Sequence, residues 1–110
     1  MEDYIGFYLD DNDIYYLDYS DNLIQIDRNT KNEKVIAIDV YNGFNTYFYN
    51  NDIYYSDTQA RLCRFESKNG MVQYIDNIYT NDFKIENDKL IYKDLLDEDN
   101  VKSIDLILIK

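Results

Sequence analysis

Apolar and polar residues alternate along this chain in short runs bounded by Asn and Asp, the period-two pattern of half-buried strands. The clearest run, Asp13-Ile14-Tyr15-Tyr16-Leu17-Asp18, returns after 39 residues as Asp52-Ile53-Tyr54-Tyr55-Ser56-Asp57. It returns again, after a further 37, as Lys89-Leu90-Ile91-Tyr92-Lys93-Asp94. Before each hexad lies an aromatic-rich run ending in a polar turn: residues 7–12, 47–51 and 83–88. Asn and Asp tolerate left-handed backbone angles, so these turns predict tight hairpins. A third strand follows each hexad, at 23–27, 62–66 and 101–105, with Gln25, Arg64 and Ser103 on its polar side. A fourth is predicted at 35–39 and 72–76, each reached through a polar turn. In the last copy Asp105 runs without a turn into Leu106-Ile107-Leu108-Ile109, so that copy is irregular: either one long strand or a replacement for the missing fourth.

Self-similarity at about 40 residues, in segments of strand composition, is the mark of propeller blades or a related sheet array. β-Branched and aromatic residues dominate, proline is absent, and no helical period is sustained. The expected fold is all-β, three tandem four-stranded antiparallel meanders in one domain, forming a partial propeller or an open blade array. The repeats are 1–39, 40–76 and 77–110.

Tyr54-Tyr55-Ser56-Asp57 resembles the Tyr-Trp-Thr-Asp signature of the propeller repeats in low-density-lipoprotein-receptor-type proteins, and Tyr15-Tyr16-Leu17-Asp18 matches it more loosely. The pattern is also similar to bacterial domains of unknown function related to that family. The resemblance implies that Tyr15, Tyr16, Tyr54, Tyr55, Asp18 and Asp57 pack a blade, and that the surface serves protein contacts. The chain departs from the family in lacking tryptophan, in placing Leu17 and Lys93 at the hydroxyl position, and in having three repeats for the family's six. Closed propellers need about four to eight blades. Two copies forming a homodimer would complete a six-blade ring; an open array capped by its own ends is the rival.

Composition narrows the function. A net charge of −11 argues against direct nucleic-acid or anionic-membrane binding and favours a basic protein partner. There is no histidine, so the commonest general base and metal ligand are missing. The one cysteine, Cys63, aligns with Ile24 in a strand and reads as core. It allows no internal disulfide, as in a reducing compartment. The oxygen-rich stretches 10–13 and 94–99 lack the glycine and terminal glutamate of a calcium loop. Gly6, Gly43 and Gly70 form no phosphate loop. These readings imply no catalytic residue, no metal and no cofactor. The amino terminus has no basic segment followed by an apolar one, which makes the cytoplasm the expected location.

Two groups remain as candidate contact residues. Residues 1–39 hold ten acids and three bases, with Asp10, Asp11, Asp13, Asp18 and Asp21 around the second strand. Tyr4, Tyr19, Tyr41 and Tyr79 fall in predicted turns or junctions, where tyrosine suits an interface. The expected function is a non-enzymatic protein-interaction module. The alternative is a small acidic inhibitor, of phage anti-defence or immunity type, occupying a basic nucleic-acid-binding groove of its target.

Overall fold

Each hexad becomes the second strand of its own antiparallel sheet. The computed structural model describes residues 4–9, 12–18, 20–41 and 46–106, with only the backbone of 4–9 and 76. The first sheet is β1 (Tyr4–Leu9), β2 (Asp13–Asp18), β3 (Leu23–Asp27) and β4 (Glu33–Ala37). The second is β5 (Thr46–Tyr49), β6 (Asp52–Ser56), β7 (Arg61–Glu66) and β8 (Met71–Tyr79). The third is β9 (Phe83–Glu86), β10 (Lys89–Asp94) and β11 (Asn100–Asp105). Strands neighbour one another in chain order, none of the sheets closes on itself, and the described residues form no α-helix. The chain is an all-β array of open, blade-like meanders, the last with three strands among the described residues.

Two apolar layers hold the sheets in a stack. Tyr15, Leu17 and Leu23 of the first sheet pack with Ile53, Tyr55, Cys63 and Phe65 of the second. The second sheet's opposite face, Tyr54, Leu62 and Ile78, packs with Phe83, Leu90, Tyr92 and Leu106. Because side chains alternate along a strand, the middle hexad must be apolar or neutral at every inner position. It is: Ile53, Tyr54, Tyr55 and Ser56 are all buried, whereas β2 and β10 alternate. Rings interlock across both layers, Tyr15 with Phe48 at 5.6 Å and Tyr47 with Phe83 at 5.3 Å. On the face of the third sheet turned away from the stack, Ile91 pairs with Lys84 and Ser103, and Lys93 with Val101. Tyr15 and Tyr54 are thus replaced there by Ile91, and Leu17 and Ser56 by Lys93, which makes this face far more polar than the two inner layers.

The turns repeat as faithfully as the strands. Asn50 and Asn51, then Asn87 and Asp88, have successive positive φ in the hairpins β5–β6 and β9–β10, the conformation that the Asn/Asp pairs predict. Asp21 and Ala60, 39 residues apart, share a φ of 64° and 65° in the turns after β2 and β6. Alanine has no side-chain compensation for this left-handed angle. Ala60→Gly is therefore expected to stabilise the fold by about 0.5–1 kcal/mol and to raise the thermal midpoint by a few degrees. A lowered midpoint would contradict this account of the turn.

Two strands differ from the predicted limits by more than one residue. β4 starts at Glu33, opposite Ile26 where Asp27 N–H closes the turn on Asn32 O, and ends at Ala37 after a register shift between Leu23 and Ile24. β8 runs on to Tyr79: its register slips between Arg61 and Cys63, and Asn77 takes a φ of 54° in the irregular stretch. That slip lets Ile78 enter the second apolar layer.

Candidate interaction surface

The turns after β2, β6 and β10 share one end of the stack, tied together through the sheet junctions. Val40 N–H donates to Asp21 O, Tyr41 N–H to Ser56 O, Thr80 N–H to Ala60 O, and Leu95 N–H to Tyr79 O, all within 3.0 Å. At the head of each turn stands the last aspartate of the hexad. Asp18 Oδ1 accepts from the N–H groups of Ser20 and Asn22. Asp57 Oδ1 does the same with Gln59 and Arg61, and its Oδ2 takes Arg61 Nε at 2.7 Å. Asp94 Oδ1 accepts from Leu96 N–H and its Oδ2 from Lys102 Nζ. Each of these carboxylates holds its turn by bonding the N–H group two residues on, and Asp18 and Asp57 also the one four residues on.

The acidic group read from the sequence is divided. Asp13 opens β2 and pairs with Asp27, while Asp18 closes it, so about 17 Å of strand separates them. Asp21 lies with Asp18 at the turn end. Tyr41 and Tyr79 are also there, 40% and 37% exposed. Tyr4 pairs through its backbone with Asp18, and its side chain lies outside the described residues, as do Asp10, Asp11 and Tyr19 altogether. The turn after β10 adds exposed Leu95 and Leu96, followed by exposed Asp97, Glu98 and Asp99. From the sequence that turn reads only as an oxygen-rich stretch without the pattern of a calcium loop. The adjacent leucines in a polar turn were the available signal.

A concavity of about 360 Å³ lies between the first two sheets. Its walls are residues 35–39 and Val72 and Tyr74 of β8, and Tyr55 and Cys63 also line it. The Arg61 guanidinium sits 4.3 Å from the centroid of the Tyr74 ring, a cation–π contact. Burial pushes the Cys63 thiol up to about 12, which leaves it in the unreactive protonated form at neutral pH. Between the second and third sheets Arg64 is buried, donating to Gln73 Oε1 at 2.7 Å and lying 3.4 Å from Glu66 Oε2.

Ion pairing at the turn end predicts an acid-sensitive fold. The Lys102 ammonium, 2.6 Å from Asp94 and 3.0 Å from Asp97, is the chief reason both carboxyls sit below their usual range. The N–H groups of Thr30 and Asn29 do the same for Asp27. A depressed folded pKa contributes stability above the unfolded value, about 4, and loses it as pH falls through the folded one. Asp52 opposes this trend, its carboxyl raised by burial. The thermal midpoint should hold steady from about pH 7 to 5 and drop below about pH 4. In Lys102→Met that drop should be smaller, starting from a lower midpoint at neutral pH; an unchanged drop would contradict the assignment.

Fold and surface together define a stacked-sheet repeat protein with an acidic, aromatic-bearing end. No protein-family model matches the chain, and a search of curated proteins finds no match. No helix of the described residues is long and apolar enough to cross a membrane, and no described group of three or more acids or cysteines could hold a metal ion.

Proposed function

We propose that this chain is a non-enzymatic, cytoplasmic protein-interaction module that engages a basic protein through the turn end of the stack. The observation carrying this reading is the set of exposed apolar residues at that end, Tyr41, Tyr79, Leu95 and Leu96, set among Asp21, Asp97, Glu98 and Asp99. Large amphipathic side chains ringed by charge are what a protein interface needs. The charge of −11 supports a cationic partner.

Immobilised protein should retain a basic partner from lysate of its source cells at about 0.1 M salt and release it several-fold more readily at about 0.5 M. Tyr41→Ala/Tyr79→Ala/Leu96→Ala should lose it, while Val101→Ala, on the far face of the third sheet, should not. Retention by the triple variant, or turnover of any substrate that survives repurification, would sink the reading. The inhibitor reading is a narrower form of the same idea, with a nucleic-acid-binding groove as the target. The acids of the β10–β11 turn favour it, and nucleic acid competing for the captured partner would distinguish it.

Two copies closing a six-blade ring form a second reading. Exposed Val101 beside Ile91 favours it, whereas Lys84, Lys89 and Lys93 on the same face oppose it, since each would lose water on stacking.

A further inference from the structure

We propose that the cleft between β4 and β8 is a second docking site, which takes an extended apolar segment carrying a basic side chain. This adds a contact surface to the reading above and rests on it for the cationic character of the partner. Of the ten large hydrophobic side chains exposed among the described residues, four line this one cleft: Val35, Ile38, Val72 and Tyr74. Such a concentration marks a binding groove better than scattered exposure does.

An extended segment fits because both walls are edge strands. β4 ends the first sheet and β8 the second, so each presents a row of backbone N–H and C=O groups that its own sheet leaves unpaired. A small molecule would use neither row. The basic side chain follows from the charges at the cleft. Asp57 is occupied by Arg61 and its turn, while the Asp39 carboxylate has no hydrogen bond or ion pair among the described residues. Asp39 and Asp57 against Arg61 leave one negative charge uncompensated at the cleft, which favours a cation there.

The test uses the full chain, isotope-labelled for NMR, and two peptides: acetyl-Leu-Lys-Val-Lys-Leu-amide and its counterpart with glutamates for lysines. The lysine peptide should shift amides of residues 35–39 and 71–74 and bind more tightly than the glutamate peptide. That preference should shrink at about 0.5 M salt. Tyr74→Ala should weaken binding about tenfold, and Asp39→Asn about threefold at low salt. Ile38→Lys, at another exposed position of the cleft, should abolish it by placing a like charge against the peptide's lysines. Equal binding of the two peptides, or shifts confined to other surfaces, would overturn the proposal. If the cleft stays silent while the Tyr41/Tyr79/Leu96 variant still loses its partner, the docking site falls and the interaction module stands.

Discussion

Asp57→Ala is expected to cost about 2–4 kcal/mol of folding stability, a large share of what a domain of this size has. Asp57 is 5% exposed. Its removal leaves the N–H groups of Gln59 and Arg61 without their acceptor and frees the Arg61 guanidinium from its 2.7 Å partner. Asp57→Asn keeps one accepting oxygen and loses only the ion pair, so about 1 kcal/mol is expected. Asp18→Ala, at a half-buried position with no cation on its carboxylate among the described residues, should fall between the two. Urea unfolding of the three variants checks this order. Equal costs for Asp57→Ala and Asp57→Asn would mean that the ion pair, rather than the turn, carries the effect.

Leu62→Ala should destabilise by about 3 kcal/mol, because a fully buried leucine leaves a cavity that the two sheets cannot close. Leu62 is 0% exposed among Tyr54, Ile78, Phe83 and Leu90. It touches only the second apolar layer. In a stack whose repeats meet only their neighbours, the loss should spread unevenly. Amide exchange should speed up first in β9–β11 and later in β1–β4. Ile53→Ala, on the opposite face of the same sheet, should reverse that order. Uniform loss of protection in both variants would show that the three sheets unfold as one unit.

The repeat was readable because its signals are local. The hexads, the Asn50-Asn51 and Asn87-Asp88 turns and the third strands each need only neighbouring residues to form. The burial of both faces of the middle hexad was not readable, since Ile14, Tyr15, Tyr16 and Leu17 of the first are equally uncharged and yet alternate. What escaped depends on long-range geometry. Asn77 bends β8 only because Ile78 finds a place in the second layer. The acids of the first repeat looked like one patch, yet a strand separates Asp13 from Asp18, and Asp18 is engaged in its own turn. The β4–β8 cleft exists only where two edge strands come together across 37 residues of chain, so the exposure of Ile38 and Tyr74 left no mark that differs from an ordinary strand. The aligned hexads did show Lys93 at the position of Leu17 and Ser56, but not that it lies on the face turned away from the stack.

The mass of the protein in solution, measured by light scattering at about 0.05 M and 0.5 M salt, tests most directly whether the stack is free to meet a different protein. A mass of 13.3 kDa at both salts is predicted, because the charged outer face of the third sheet and the net charge of −11 both oppose self-association. A mass twice that value, strengthened by salt, would contradict the account: the sheets would then be covered by a second copy, and the ring rather than the open stack would be the working form.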